Sequence, residues 1–244
     1  MANLHEWEPG MKGIKLADFE TGEPVKIPLD PEKNAVRNAQ SLYKRHQKLK
    51  RTRVAIEPLM KAVKDEINYL EQVEAAISQT PIYRKPADLQ TLKEIRGELI
   101  EEKYLSVPDY RKPTAGTETE FYRYRTPGGC ELLVGRNNQQ NDRLTSQVAT
   151  DYDLWFHTQE IPGSHVLLRL PPGEVPDDGD LQFVANVTAY YSRARQSEQV
   201  PVIYTHPKHV YKPKGAKPGM VIYKNERVLW GAPQQAIAVL GLEN

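Results

Sequence analysis

A hydrophobic seam that holds its spacing for more than forty residues narrows the folds open to this chain more than any other feature. Positions 35, 39, 42, 46, 49, 53, 56, 60, 63, 67, 70, 74 and 77 step by alternating fours and threes, and ten of these thirteen are apolar. That is the seam of a coiled coil sustained over about six heptads. Asp30-Pro31 supplies a capping acid and a first-turn proline, so the spacing predicts a helix from there to about Ser78, with a local bend at Pro58. At ~1.5 Å per residue, residues 33–78 span ~70 Å. Ser78–Pro86 reads as a loop. A shorter helix returns from Ala87 to about Leu105 with Leu89, Leu92, Ile95 and Leu99 facing back, which makes an antiparallel hairpin. The return helix reaches only from about Glu57 to Ser78. The seam at Ala39, Leu42, Leu49 and Ile56 therefore needs another partner: a further part of a longer chain, a second copy, or the C-terminal domain. In isolation this predicts self-association or fraying through residues 33–56.

Four regions follow. Residues 1–30 read as a short β segment, the edge of something larger, with Gly13–Ala17 and Pro24–Pro28 as a strand pair. Residues 31–106 form the hairpin, and 107–118, with Pro108, Pro113 and Gly116, form a linker. From 119 to 244 the pattern changes to short strands (Phe121–Thr126, Cys130–Val134, Asp153–Thr158, His165–Leu170, Val200–Thr205, Met220–Tyr223 and Arg227–Trp230). Helices are expected at Asn138–Ala149 and Asp180–Gln196. Strands and helices without regular βαβ alternation argue for an α+β domain. The expected fold is thus α+β: an antiparallel helical hairpin followed by a mixed sheet-and-helix C-terminal domain.

Composition excludes several classes. The single cysteine, Cys130, leaves no disulfide framework and no multi-cysteine zinc site, which points to a reducing cytoplasm. No window approaches the ~18 apolar residues of a membrane span. No cofactor motif and no metal-ligand set stands out. The 33 Lys+Arg nearly balance the 32 Asp+Glu, but unevenly along the chain. Residues 33–56 carry eight Lys/Arg and no acid, and Gln199–Asn225 carries five lysines and again no acid. Clustered charge of one sign is a footprint of polyanion binding, although a solvated helix face or loop produces the same pattern.

Four stretches have an unusual density of chemically capable residues. The first, Gly135 to Asp142, reads GRNNQQND, and its Asn-rich content also suits a turn and helix cap. The second, Asp153-Leu154-Trp155-Phe156-His157, alternates Asp153, Trp155 and His157 onto one face, as an ordinary core strand also does. The third, Ile161-Pro162-Gly163-Ser164-His165-Val166, delivers Ser164 and His165 from a tight turn. The fourth, Tyr204 through Gly219, sets His206, Lys208, His209, Lys212, Lys214 and Lys217 among prolines and glycines.

In this order GRNNQQND, DLWFH, IPGSHV, AYYSRAR and VYKPKGAKPG resemble the C-terminal RNA-binding domain of the NFACT family. Ala2-Asn3-Leu4-His5, Ile27-Pro28-Leu29-Asp30-Pro31 and Asn38-Ala39-Gln40 resemble that family's middle coiled-coil region. The family's amino-terminal glycosylase-like domain and helix-hairpin-helix module have no counterpart here, so the chain reads as a fragment of a longer or split protein. The resemblance implies a ribosome quality-control factor that engages the obstructed large ribosomal subunit and supports tRNA recruitment for tailing stalled chains. It implies rRNA and tRNA as partners and no hydrolysis by this domain.

Candidate RNA contacts are then Arg136, Asn137, Asn138, Asn141, Asp153, Trp155, His157, Ser164 and His165 from the motifs. Lys208, Lys212, Lys214 and Lys217 come from the loop, and Lys44, Arg45, Lys48, Arg51 and Arg53 from the long helix. Phosphates would meet the cations, and Trp155, Tyr204, Tyr211 and Tyr223 would stack on bases. Two other classes compete. Asp153, His157, Ser164 and His165 resemble a nucleophilic triad in composition, which would make an enzyme, but no nucleophile elbow surrounds Ser164. Bacterial members of the family are also described as fibronectin-binding proteins, which would make a surface adhesin.

Overall fold

The computed structural model describes residues 6–80, 85–108 and 120–240. The chain divides into two compact units, 1–64 and 65–244. The boundary falls inside the long helix and not at the 107–118 linker, most of which, like the ANLH motif at 2–5 and the loop at 81–84, lies outside the described residues.

In the first unit, β1 (Gly13–Ala17) and β2 (Pro24–Pro28) pair antiparallel, with Gly13 opposite Pro28. Helix α1 (Ala35–Ser78) begins four residues later than Asp30-Pro31 suggests. The cap is Asn34, whose Oδ1 accepts from the Arg37 N–H at 2.8 Å. The buried Asn38 side chain instead folds residues 30–33 into a turn, bonding both the N–H and the C=O of Asp30. The helix continues through Pro58. Leu49, Ile56, Met60 and Val63 of the expected seam are all exposed in this unit.

The second unit holds the rest of α1 and the return helix α2 (Pro86–Glu101). The two meet antiparallel through Tyr69, Val73, Ala76 and Ile95, with Leu99 and Tyr104 against them. Tyr104 also donates to Glu66. Helix α2 stops at Glu101, short of Leu105, because Lys103 turns left-handed at φ 67°. The Tyr104 N–H then reaches the Leu99 carbonyl and the Lys103 N–H the Ile100 carbonyl, a Schellman closure.

The remaining elements are β3 (Tyr122–Arg125), β4 (Glu131–Val134), α3 (Asn138–Arg143), β5 (Leu154–Thr158), β6 (Val166–Leu168), α4 (Asp178–Tyr190), β7 (Val200–Thr205), β8 (Val210–Tyr211), β9 (Ile222–Tyr223), β10 (Arg227–Gly231) and α5 (Pro233–Leu240). Six strands form one antiparallel sheet in the order β10-β7-β5-β6-β4-β3. Alternation assigns its faces. Leu132, Val134, Leu154, Phe156, Val166, Leu168 and Val202 pack with Phe183, Val184 and Val187 of α4. Leu133, Trp155, Leu167 and Ile203 point the other way, under Leu144, Phe121 and the β8–β9 hairpin. Both faces are covered, so the central strands are buried on successive residues.

The expected helix at 138–149 is α3 followed by one π-helical stretch, Leu144–Val148. Helix α4 ends at Tyr190 rather than near Gln196. The chain beyond it is captured by the 161–164 turn: the Ser164 N–H donates to Tyr191 O, and the Arg193 N–H to Pro162 O. Helix α5 and strand β8 were not expected.

Candidate nucleic-acid interface

The polar motifs converge, but inward. Gly135 leaves β4 so close to Asn141 that a Cβ there would lie 2.1 Å from Asn141 Oδ1. That Oδ1 accepts the His165 N–H at 3.0 Å, and Ser164 Oγ donates to Gly135 O at 2.6 Å. Asn137 caps α3, accepting from the Gln140 N–H at 2.9 Å. Its amide donates 2.7 Å to Glu94 on α2, and the Asn138 amide donates 2.9 Å to Glu98 Oε1. The Tyr69 hydroxyl donates to the same oxygen at 2.9 Å. Gln72 of α1 accepts from the Gly163 N–H, and Gln79, just past the end of α1, donates to Tyr191 O and accepts from Ser164. The guanidinium of Arg136 lies 3.9 Å over the Tyr122 ring and 3.6 Å from Asp88. The Asn-rich and Ser-His motifs are therefore the joint between the sheet and the two helices.

Asn137, Asn138, Asn141, Asp153, Trp155, Ser164 and His165 are all less than 5% exposed, which corrects the expectation that their side chains face RNA. The polar ones are hydrogen-bonded to backbone or helix groups inside the fold, and Trp155 packs in the apolar cluster on that face of the sheet. Asp153 accepts from the Thr150 and Leu170 N–H groups and lies 3.2 Å from Arg169. Trp155 donates to Thr145 Oγ1 and stacks on His157 at 5.8 Å. Tyr204 stacks on Phe156. Of the four aromatics considered for base stacking, Tyr211 is the exposed one. His157 and His165 meet edge to face at 5.4 Å. Burial holds His157 down at about 4, and holds His165 well below the ordinary histidine value, so both are neutral near pH 7. Neither bonds Ser164, whose hydroxyl partners are Gly135 O and Gln79, so the triad geometry is not formed.

Glu98 is 2% exposed, and its burial pushes the carboxyl up, against the lowering effect of the Asn138 and Tyr69 hydrogen bonds. Sequence reading missed Glu94, Glu98, Gln72 and Gln79. The signal was indirect: a motif with so many amide donors requires acceptors somewhere else in the fold.

The basic loop between β8 and β9 makes two consecutive turns, closed by Ala216 N–H to Pro213 O and Met220 N–H to Lys217 O. Pro218 and Gly219, with φ +77° at Gly219, suit the two central positions of the second turn. Lys212 pairs with Asp142, and Lys217 with Glu102 at 2.8 Å. Lys208, Lys214 and Lys224 are exposed and pair with no carboxylate among the described residues. Lys224 lies 5.8 Å over the Tyr211 ring. In the first unit Lys44, Arg45, Lys48 and Arg51 are exposed, while Arg53 is engaged by Glu57 at 2.9 Å. The described residues hold no cluster of His, Cys, Asp and Glu that suits a metal, and no helix among them is long and apolar enough to cross a membrane.

Residues 1–117 match the family model for NFACT N-terminal and middle domains, and residues 120–225 match the model for the NFACT protein RNA binding domain. The Rqc2 homolog RqcH of Bacillus subtilis is 36% identical over 95% of this chain, and so is that of Streptococcus suis. The chain spans 40% of the length of each of these relatives. A solved structure, the C-terminal of the fibronectin/fibrinogen-binding protein from Streptococcus suis, superposes with a TM-score of 0.70 at 35% identity, covering 84% of this chain and 79% of that one. Two adjoining family models that take in nearly the whole sequence, and relatives aligned along 95% of it, show that the chain belongs to the NFACT family.

Proposed function

We propose that this chain is the RNA-contacting part of a cytoplasmic ribosome quality-control factor that engages the obstructed large ribosomal subunit and supports tRNA recruitment. In this reading it contributes binding, and chemistry on the stalled chain lies with its partners. The observation that carries the reading is local. Within the span that matches the family's RNA-binding domain, a stretch without acids presents Lys208, Lys214 and Lys224 as exposed cations that pair with no carboxylate among the described residues, with Lys224 over the Tyr211 ring. Cations without carboxylate partners keep their full attraction for phosphate. Lys44, Arg45, Lys48 and Arg51 of the first unit form a second set.

The test titrates large ribosomal subunits and isolated rRNA with the chain at several salt concentrations. A Lys208/Lys214/Lys224→Ala variant is expected to bind more weakly, with the slope of log K against log salt shallower by about 2 to 3. Unchanged affinity and slope would sink the loop as an interface. The streptococcal structure is named for fibronectin and fibrinogen. Surface adhesion is therefore the second reading, and immobilised fibronectin belongs in the same titration. Binding to fibronectin with none to ribosomal subunits would replace the first reading with the second.

A further inference from the structure

We infer that Lys217 is a positioning residue: it latches the basic loop onto the end of α2, so that the loop presents its free lysine, Lys214, only while that joint is closed. The inference rests on the RNA-binding reading and assigns this lysine a role other than phosphate contact. Its ammonium donates to Glu102 Oε2 at 2.8 Å and sits 5.1 Å over the Tyr69 ring and 4.9 Å over the Tyr104 ring. Two aromatic faces and a carboxylate are a cation seat, in which the charge is held by quadrupole and ion pair together. The glutamate raises the lysine above its ordinary value, so the seat is occupied by a full charge at neutral pH.

Two residues further along, the loop is gripped a second time. The Gly219 N–H donates to Asp142 Oδ1 at 3.1 Å, while the other oxygen of Asp142 takes Lys212. A Cβ on Gly219 would come 2.7 Å from Asn138 Oδ1, so the backbone lies directly on the residue that bonds Glu98. Lys212 and Lys217 are thus turned toward the protein, and Lys214, between them, is left exposed at the turn. A short Gly/Pro loop fixed on both sides of its free cation loses less conformational entropy on binding than a free one.

The sign of one substitution separates this from a charge account. Glu102→Ala removes an acid beside the loop, so simple electrostatics predicts tighter RNA binding. The latch predicts binding about three- to tenfold weaker. Lys217→Met is expected to weaken binding by a similar factor with an unchanged salt slope, whereas Lys214→Ala lowers the slope by about 0.7 to 0.9. In both latch variants the amides of residues 214–220 should exchange faster, and Lys217→Arg, which keeps charge and donor, should restore slow exchange.

Tighter binding by Glu102→Ala would overturn the inference. So would a slope loss of about 0.7 to 0.9 in Lys217→Met without faster loop exchange, since Lys217 would then be a phosphate contact. Hydrogen exchange is read without RNA. A failure of the unsubstituted chain to bind RNA therefore counts against the functional reading, and slow loop exchange in both latch variants counts against the latch.

Discussion

His157 and Glu98 lie in the same core-facing joint and respond to pH with opposite signs. The folded value of His157, about 4, is below the unfolded one near 6.5. Between those values the unfolded chain binds more protons, so stability is lost as pH falls through that window. A difference of this size is worth roughly 3 kcal/mol. Glu98 is raised instead, so the folded state binds more protons above the ordinary glutamate range, and stability falls there as pH rises. Urea unfolding from pH 7 down to pH 4 is expected to show His157→Phe with a flatter acid loss than the unsubstituted chain. Glu98→Gln should remove the opposing slope while keeping an oxygen for Tyr69 and Asn138. Glu98→Ala leaves both donors unsatisfied and should cost about 1–3 kcal/mol. Indistinguishable pH profiles for the His157 variant and the unsubstituted chain would contradict the burial argument. Ser164, whose hydroxyl is bonded to neither neutral ring, is expected to gain no nucleophilicity at any pH in this range.

At the scale of elements, the long helix carries its own weak point. Pro58 leaves the Val54 carbonyl without its intrahelical donor, on a stretch where residues 48–66 are exposed throughout. Pro58→Ala is expected to stabilise that stretch by about 1–3 kcal/mol, seen as slower amide exchange around residues 58–61. No change in exchange there would mean the helix is held by contacts and not by its own ladder. The helix, the β1–β2 pair and most sheet strands were legible because each is written in local periodicity and turn chemistry. Element ends were not. Helix α2 stops where Lys103 turns left-handed, and α4 where Tyr191 and Ser192 are taken by the 161–164 turn, both outcomes of bonds the periodicity does not carry. The site was read least well. GRNNQQND looks like a surface motif because its acceptors, Glu94 and Glu98, lie some forty residues away on α2. A separation of 115 residues hid the pairing of Lys217 with Glu102.

At the scale of the whole molecule, the two units should differ in how they are lost. Exposed Lys and Arg run from Lys44 to Lys64 on a helix with no buried side chain after Asn38 in that unit, whereas the second unit holds three buried clusters. Brief trypsin treatment is therefore expected to cut between residues 44 and 64 first, leaving a fragment that contains the six-stranded sheet. Early cleavage inside 131–205 would contradict that ranking. In salt titrations a Lys44/Lys48/Arg51→Ala variant is expected to lose less affinity per charge than the loop variant, because its cations sit on the less firmly held unit.

The strand order has a consequence in time. Strand β5 pairs on one side with β6, about ten residues later, and on the other with β7, which is separated from it by the whole of α4. Gln79, just past the end of α1, waits longer still, for a carbonyl at Tyr191 that is 112 residues downstream. Contacts this far apart must overcome loop-closure entropy before they repay it, which places folding in the slow, millisecond-to-second class. During synthesis the hairpin helices emerge long before the strands that bury their polar face. A chain of this kind spends its first moments with Gln72, Gln79, Glu94 and Glu98 in water, and it becomes a finished joint only after β7 has left the ribosome.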